Sequence, residues 1–187
     1  QSPHDHTPPL PHKQVSELLK ALLKIQKPKR ILEVGCAIGY SSILFASVLD
    51  EDVEIITVER NEKMIEKAKE NIKLAGFEKN ITILEGDAEE ILKEVEGPFD
   101  MIFMDAAKGQ YINFMLDILR LLKSGGVLVS DNVLQDGDII ESHYVVERRN
   151  RTIYKRMREY MYELTHNEGL VTAVLPVGDG ITVSAKK

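Results

Sequence analysis

The chain has 187 residues, 43% of them apolar and 29% charged, the proportions of an ordinary soluble globular protein of one domain. No apolar run approaches the roughly 20 residues needed to cross a bilayer, and the single cysteine, Cys36, excludes an internal disulfide and fits a reducing cytoplasm. A net charge of −6 argues against indiscriminate nucleic-acid binding, yet the window from Glu147 to Arg158 carries +5 and leaves −11 for the remainder.

Residues 1–12 hold four prolines and three histidines (His4, His6, His12) and read as an irregular lead-in. Apolar residues at Val15, Leu18, Leu19, Leu22, Leu23 and Ile25 predict a helix over 13–26, stopped by Pro28. RILEVG (30–35) reads as a buried strand, 40–50 as a helix and VEIITV (53–58) as the next strand. Asn61 caps a helix with Met64, Ile65, Ala68, Ile72 and Ala75 on one face, ended by Gly76. ITIL (81–84) is a third strand, Asp87 caps a short helix, and FDMIFMD (99–105) is a fourth strand. A helix from about Tyr111 to Lys123 is expected to close at Gly125-Gly126, before the strand VLVSD (127–131). The stretch 144–167 has helical spacing, with basic residues around Ile153, Met157, Tyr160, Met161 and Leu164. LVTAVLP (170–176) and ITVS (181–184), joined by Gly178-Asp179-Gly180, read as an antiparallel hairpin. Strands alternating with helices imply an α/β fold in one domain, 1–187, with a mostly parallel seven-stranded sheet covered on both faces. Ligands of such sheets sit beyond the carboxyl ends of the strands, where Glu33, Glu59, Asp87, Asp105 and Asp131 all fall.

Two apolar runs end abruptly in acids. Phe99–Met104 ends in Asp105, with Lys108 three residues on, and Val127–Ser130 ends in Asp131-Asn132. Three hard oxygen donors at one sheet edge suit Mg²⁺ or Ca²⁺ better than zinc. The loop EVGCAIGYS (33–41) brings Gly35 and Gly39 after the first strand, but its G-x-x-x-G spacing does not meet the dinucleotide fingerprint. Glu59 ends the second strand, where a carboxylate can accept ribose hydroxyls. Asp87, with Ala88, follows the third strand, within reach of an adenine edge. Helix capping is the alternative role for both acids. An acidic rim without a phosphate-binding lysine suits a nucleoside without phosphate, such as the cationic S-adenosylmethionine. Cys36 reads as a small loop residue.

ILEVGCAIGYSS, ITVER, EGDA, FDMIFMDAAKGQY, GGVLVSDNVL and PVGDGITVS together resemble the cation-dependent O-methyltransferases of the catechol and caffeoyl-CoA type, from about Leu10 onward. DAAKGQY, the arginine-rich window and PVGDG are most similar to the bacterial tRNA 5-hydroxyuridine methyltransferases, which convert wobble 5-hydroxyuridine to 5-methoxyuridine. The resemblance implies a Rossmann-like class I methyltransferase fold, an S-adenosylmethionine cofactor and a Mg²⁺ ion held by Asp105, Asp131 and Asn132. It implies cofactor contacts from Pro11, Glu33, Gly35, Gly39, Ser41, Glu59, Asp87, Ala88 and Asp105, with Lys108 as general base or, alternatively, as an ion-pair partner of an acid. With a tRNA anticodon arm as partner, Arg148, Arg149, Arg151, Lys155 and Arg156 would grip phosphates, and Tyr111 and Tyr144 are candidates for base stacking or for packing. With a small catechol as substrate, the basic window would be a solvated helix. A non-catalytic cofactor-binding module is the remaining alternative. Family members begin with a further helix upstream of the point where this sequence starts, and they are expected to form homodimers.

Overall fold

The computed structural model describes residues 13–134 and 151–187. In chain order the elements are α1 (Lys13–Gln26), β1 (Arg30–Val34), α2 (Tyr40–Val48), β2 (Glu54–Glu59), α3 (Glu62–Ala75), β3 (Ile81–Glu85), α4 (Ala88–Glu94), β4 (Phe99–Met104), α5 (Tyr111–Leu121), β5 (Leu122–Ser130), α6 (Arg151–His166), β6 (Leu170–Leu175) and β7 (Ile181–Lys186). The strands form one sheet in the order β3-β2-β1-β4-β5-β7-β6. β1 to β5 pair in parallel, while β7 runs antiparallel to both β5 and β6, the expected C-terminal hairpin.

The period of two along each strand explains the two cores. Leu32, Val34, Ile102, Met104 and Leu128 face one side and pack on Leu92 of α4, Phe114 and Ile118 of α5, and Met157 and Tyr160 of α6. Their chain neighbours Ile31, Met101, Phe103 and Val129 face the other, against Leu19 and Leu23 of α1, Phe45 of α2, and Ala68 and Ile72 of α3. Burial on both faces is why these strands read as unbroken apolar runs. Phe45 meets Phe103 edge to face at 5.4 Å between ring centroids, a geometry worth about 1 kcal/mol beyond burial alone. The predicted caps form: Asn61 accepts from the amides of Lys63 and Met64, and Asp87 from that of Glu89.

The boundary that differs most is the end of α5. α5 ends at Leu121, and residues 122–126 already belong to β5. Leu122 pairs with Phe99 of β4, after which the register shifts before Met101 pairs with Val127. The extra residues around Gly125-Gly126 are thus a bulge in a strand, set by long-range pairing that a local pattern does not carry. Among the described residues no helix is long and apolar enough to cross a membrane.

The chain runs outward from β1 to β3, then returns to place β4 on the other side of β1. Loops diverge at this reversal and leave a crevice between the tips of β1 and β4.

Candidate active site

Backbone hydrogen bonds lock the strand tips beside one another. The amide of Gly35 donates to Val58 O at 3.0 Å, that of Gly86 to Glu59 O at 2.9 Å, that of Asp105 to Val34 O at 2.9 Å and that of Asp131 to Met104 O at 2.9 Å. Each residue just past a strand therefore still belongs to the ladder, so its side chain stands on rigid backbone. Gly35 has φ +101°, and a Cβ there would lie 2.1 Å from the carbonyl oxygen of Asp105. Only glycine lets the loop after β1 pass the tip of β4.

An open cleft with about 640 Å³ of empty space lies between these tips. Gly35, Glu59, Asp87, Ala88 and Asp105 line it, as the sequence predicts. Glu59 is held hard: its Oε2 accepts from the amide of Ala37 at 2.8 Å, and its Oε1 from those of Arg60 and Asn61 at 2.9 Å each. Three of its roughly four acceptor sites are thus taken, which fixes the direction of the remainder. Asp87 caps α4 through Glu89 N at 2.9 Å and also walls the cleft, where Arg60 Nη1 pairs with its Oδ2 at 3.2 Å. Arg60, Gln110 and Phe114 also line the cleft and were not anticipated. Arg60 directly follows a strand-tip acid, a usable signal; Gln110 arrives with the Lys108 turn and Phe114 with α5.

Glu33, Gly39 and Ser41 are not among the cleft walls. Glu33 is fully buried and accepts from the hydroxyls of Ser41 and Ser42 and from Thr57 Oγ1 at 2.5 Å. Burial pushes its carboxyl up to about 7, although the three hydroxyls pull the other way. A Cβ on Gly39 would face Ala68 and Ile72 of α3 at 3.5 Å. These three residues support the loop after β1 from behind. Cys36 is buried, and desolvation pushes its thiol up, which keeps it an unreactive packing residue.

Beside Asp105, Asn132 Nδ2 donates to Asp105 Oδ1 at 3.2 Å, and the Asn132 amide donates to Asp131 Oδ1 at 2.7 Å. Burial pushes Asp131 up to about 6, and the neighbouring Asp105 charge adds to this. Burial also raises Asp105, against the pull of Asn132 and of the Lys108 charge. Lys108 reaches these two neighbouring carboxylates only through space, and among the described residues no lysine or arginine stands within ion-pair distance of either. A hard divalent cation fits that deficit and that donor set. Among the described residues no group of three or more His, Cys, Asp or Glu gathers closely enough to hold a metal, so an ion at Asp105 and Asp131 would need a donor of another kind, such as the Asn132 amide. Its NH₂ faces Asp105, and ligation through its oxygen requires the amide to turn over.

Lys108 opens a single turn, Lys108–Gln110, half-buried beside Asp105. It makes no ion pair among the described residues and acts on Asp105 and Asp131 through space. Tyr111 does not stack on a ligand. It is fully buried, its hydroxyl is 3.1 Å from Met104 O and 3.2 Å from Asp131 O, and its ring meets Tyr160 edge to face. It ties the tips of β4 and β5 together.

On α6, Arg151 and Lys155 are exposed, and Lys155 lies 3.7 Å from Glu159. Arg156 instead turns inward and donates to Gly109 O at 3.0 Å. Pro11, Tyr144, Arg148 and Arg149 lie outside the described residues.

The sequence profile of the O-methyltransferase family matches residues 9–187. The chain is 33% identical over 179 residues to a caffeoyl-CoA O-methyltransferase of Medicago sativa, covering 89% of this chain and 70% of that protein. It is 37% identical over 131 residues to a catechol O-methyltransferase of Niastella koreensis, covering 68% and 59%. Among solved structures, a Podospora anserina methyltransferase with S-adenosylhomocysteine bound superposes with a TM-score of 0.82 at 31% identity, over 92% of this chain and 78% of that one. A provisionally assigned caffeoyl-CoA O-methyltransferase of Staphylococcus aureus gives 0.89 at 38% identity, over 96% and 86%. With the doubly wound sheet, the cleft at its reversal point and a profile match across nearly the whole chain, this protein belongs to the O-methyltransferase family.

Proposed function

We propose that this O-methyltransferase transfers the methyl group of S-adenosylmethionine to a hydroxyl with a second oxygen beside it, assisted by Mg²⁺, and that its substrate is wobble 5-hydroxyuridine of tRNA. The observation that carries the chemistry is the meeting of Asp131 and Asn132 with Asp105, itself a wall of the cleft that Glu59 and Asp87 also line. The relative with bound S-adenosylhomocysteine supports the cofactor. Glu59, already fixed by three amides, offers its remaining acceptor capacity to a ribose hydroxyl, and Asp87 with Ala88 borders the adenine. Pro11 is assigned to the cofactor on the family resemblance alone. A divalent ion held by Asp105, Asp131 and Asn132 would lower the pKa of the substrate hydroxyl and fix its direction. Lys108 takes the hydroxyl proton as the oxygen bonds to the methyl carbon and the carbon–sulfur bond breaks, releasing S-adenosylhomocysteine. Its lack of a carboxylate partner among the described residues favours this role over an ion pair. The tRNA assignment draws on the exposed Arg151 and Lys155 of α6, next to the Lys108 turn, with Arg148 and Arg149 preceding them in sequence. A cytoplasmic homodimer completes the reading.

A second reading, a small catechol as acceptor, is favoured by the Niastella koreensis relative. Catechol and 5-hydroxyuracil present the same pair of adjacent oxygens, so the site chemistry is common to both. Labelled S-adenosylmethionine, incubated with an anticodon stem-loop RNA bearing 5-hydroxyuridine or with catechol, separates the two. We expect label on the RNA, lost with EDTA and restored by Mg²⁺. Methylation of catechol alone would replace the substrate, and transfer indifferent to EDTA would remove the metal site.

A further inference from the structure

We propose that Arg156 is a positioning residue for Lys108, acting through the backbone of the turn that carries it; this rests on the general-base reading of Lys108. The turn Lys108–Gln110 is short, closed on itself by the Gln110 amide donating to Ala107 O at 2.8 Å. No described carboxylate anchors the Lys108 side chain. The turn's anchor comes from 47 residues away, where Arg156 Nη1 donates to Gly109 O at 3.0 Å in a half-buried setting. One helical turn earlier, Ile153 lies across the same glycine, its Cγ1 3.6 Å from where a Gly109 Cβ would stand. Positions three apart share a helix face, so α6 presents Ile153 and Arg156 together as a clamp.

α6 is itself fixed to the rest of the site. Tyr154 and Met157 are buried in the core, and the hydroxyl of Tyr160 is hydrogen-bonded to Ser130 Oγ at 2.6 Å. Ser130 is the last residue of β5, immediately before Asp131. One helix thus touches both the Lys108 turn, through Ile153 and Arg156, and the tip carrying Asp131, through Tyr160, and so couples their positions. A guanidinium bond to a carbonyl is charge-assisted and directional; lysine keeps the charge but loses the planar fork. Arg156 was counted among the phosphate contacts in the sequence, and its geometry assigns it to the protein's own backbone.

The test is a set of variants, R156Q, R156K, K108A and R156Q/K108A, assayed by methyl transfer to the 5-hydroxyuridine stem-loop and to catechol. R156Q should lower kcat roughly ten- to a hundredfold, with KM for the acceptor and Kd for S-adenosylmethionine changed by less than about twofold. R156K should recover part of the loss. In the K108A background, R156Q should add no further loss. A raised KM with kcat intact, or a full additional loss on top of K108A, would overturn the proposal. Full activity of K108A alone would instead overturn the general-base reading. Hydrogen exchange decides the positional claim without any turnover: R156Q should speed exchange at the Gln110 amide, and unchanged exchange there would show that Arg156 does not hold the turn.

Discussion

Glu33 is a charge with no solvent, ringed by the hydroxyls of Ser41, Ser42 and Thr57. Three hydrogen bonds stabilise its ionised form, yet desolvation outweighs them and raises its carboxyl from 4.5 to about 7. A carboxyl raised in the folded state binds its proton more tightly there than in the unfolded chain. Its contribution to stability is therefore complete below pH 4.5 and is lost as pH rises through 7. At 1.36 kcal/mol per unit the loss is roughly 3 kcal/mol. Glu33→Gln keeps the shape and removes the titration. Urea unfolding from pH 4.5 to 8 should show the variant gaining on the parent chain across this window; parallel curves would mean Glu33 does not titrate there. Position in the sequence marked Glu33 as a ligand candidate because it sits near a strand end. Which way the side chain points depends on hydroxyls eight, nine and twenty-four residues away, and no local pattern reveals that.

At the level of elements, the strands and caps follow from period-two and period-three-to-four patterns, and so does the gathering of strand-tip acids at one edge. The misplaced end of α5 and the inward turn of Arg156 share one cause: each depends on a partner far along the chain, Phe99 for Leu122 and Gly109 for Arg156. The closing turn Gly178-Asp179-Gly180 belongs to the same class. In sequence it is a hairpin turn, but in the fold it clasps the segment after Asn132. Val133 N donates to Gly180 O at 3.0 Å and Leu134 N to Asp179 O at 2.9 Å. Gly180 has φ +87°, and a Cβ on it would stand 2.3 Å from Leu134 Cγ. Gly76 makes a matched control, with φ +78° and nothing within 4 Å of its Cβ position. Gly76→Ala should cost about 1 kcal/mol for the left-handed backbone alone. Gly180→Ala should cost about 1 to 3 kcal/mol more for the overlap, and should also lower methyl transfer, because Leu134 can yield only by moving the loop that holds Asn132. Equal destabilisation of the two variants, measured by thermal unfolding, would mean that the turn does not brace this loop.

Along the whole chain the charge is uneven: +5 between Glu147 and Arg158 against −11 for the remainder. α6 packs against the Lys108 turn, so the described part of the basic window, residues 151–158, lies on the helix beside that turn and the cleft. An anionic chain approaching this surface is repelled over most of it and attracted next to the site, which orients as well as binds. Arg151 and Lys155 are exposed on that window, and Arg158 lies over the Tyr154 ring. If these three contact phosphates, counterion release for a single strand at about 0.7 per contact gives a slope near −2 for log kcat/KM against log salt with the stem-loop RNA. Catechol carries no phosphate and should show a slope near zero on the same enzyme, which makes it an internal control for any effect of salt on the fold or on cofactor binding. Substituting Arg151 and Lys155 with glutamine should flatten the RNA slope and leave the catechol slope where it was. A flat RNA slope in the parent chain would leave the basic helix as solvated surface and pass the substrate assignment to small phenols, with the chemistry at Asp105, Asp131 and Asn132 unchanged.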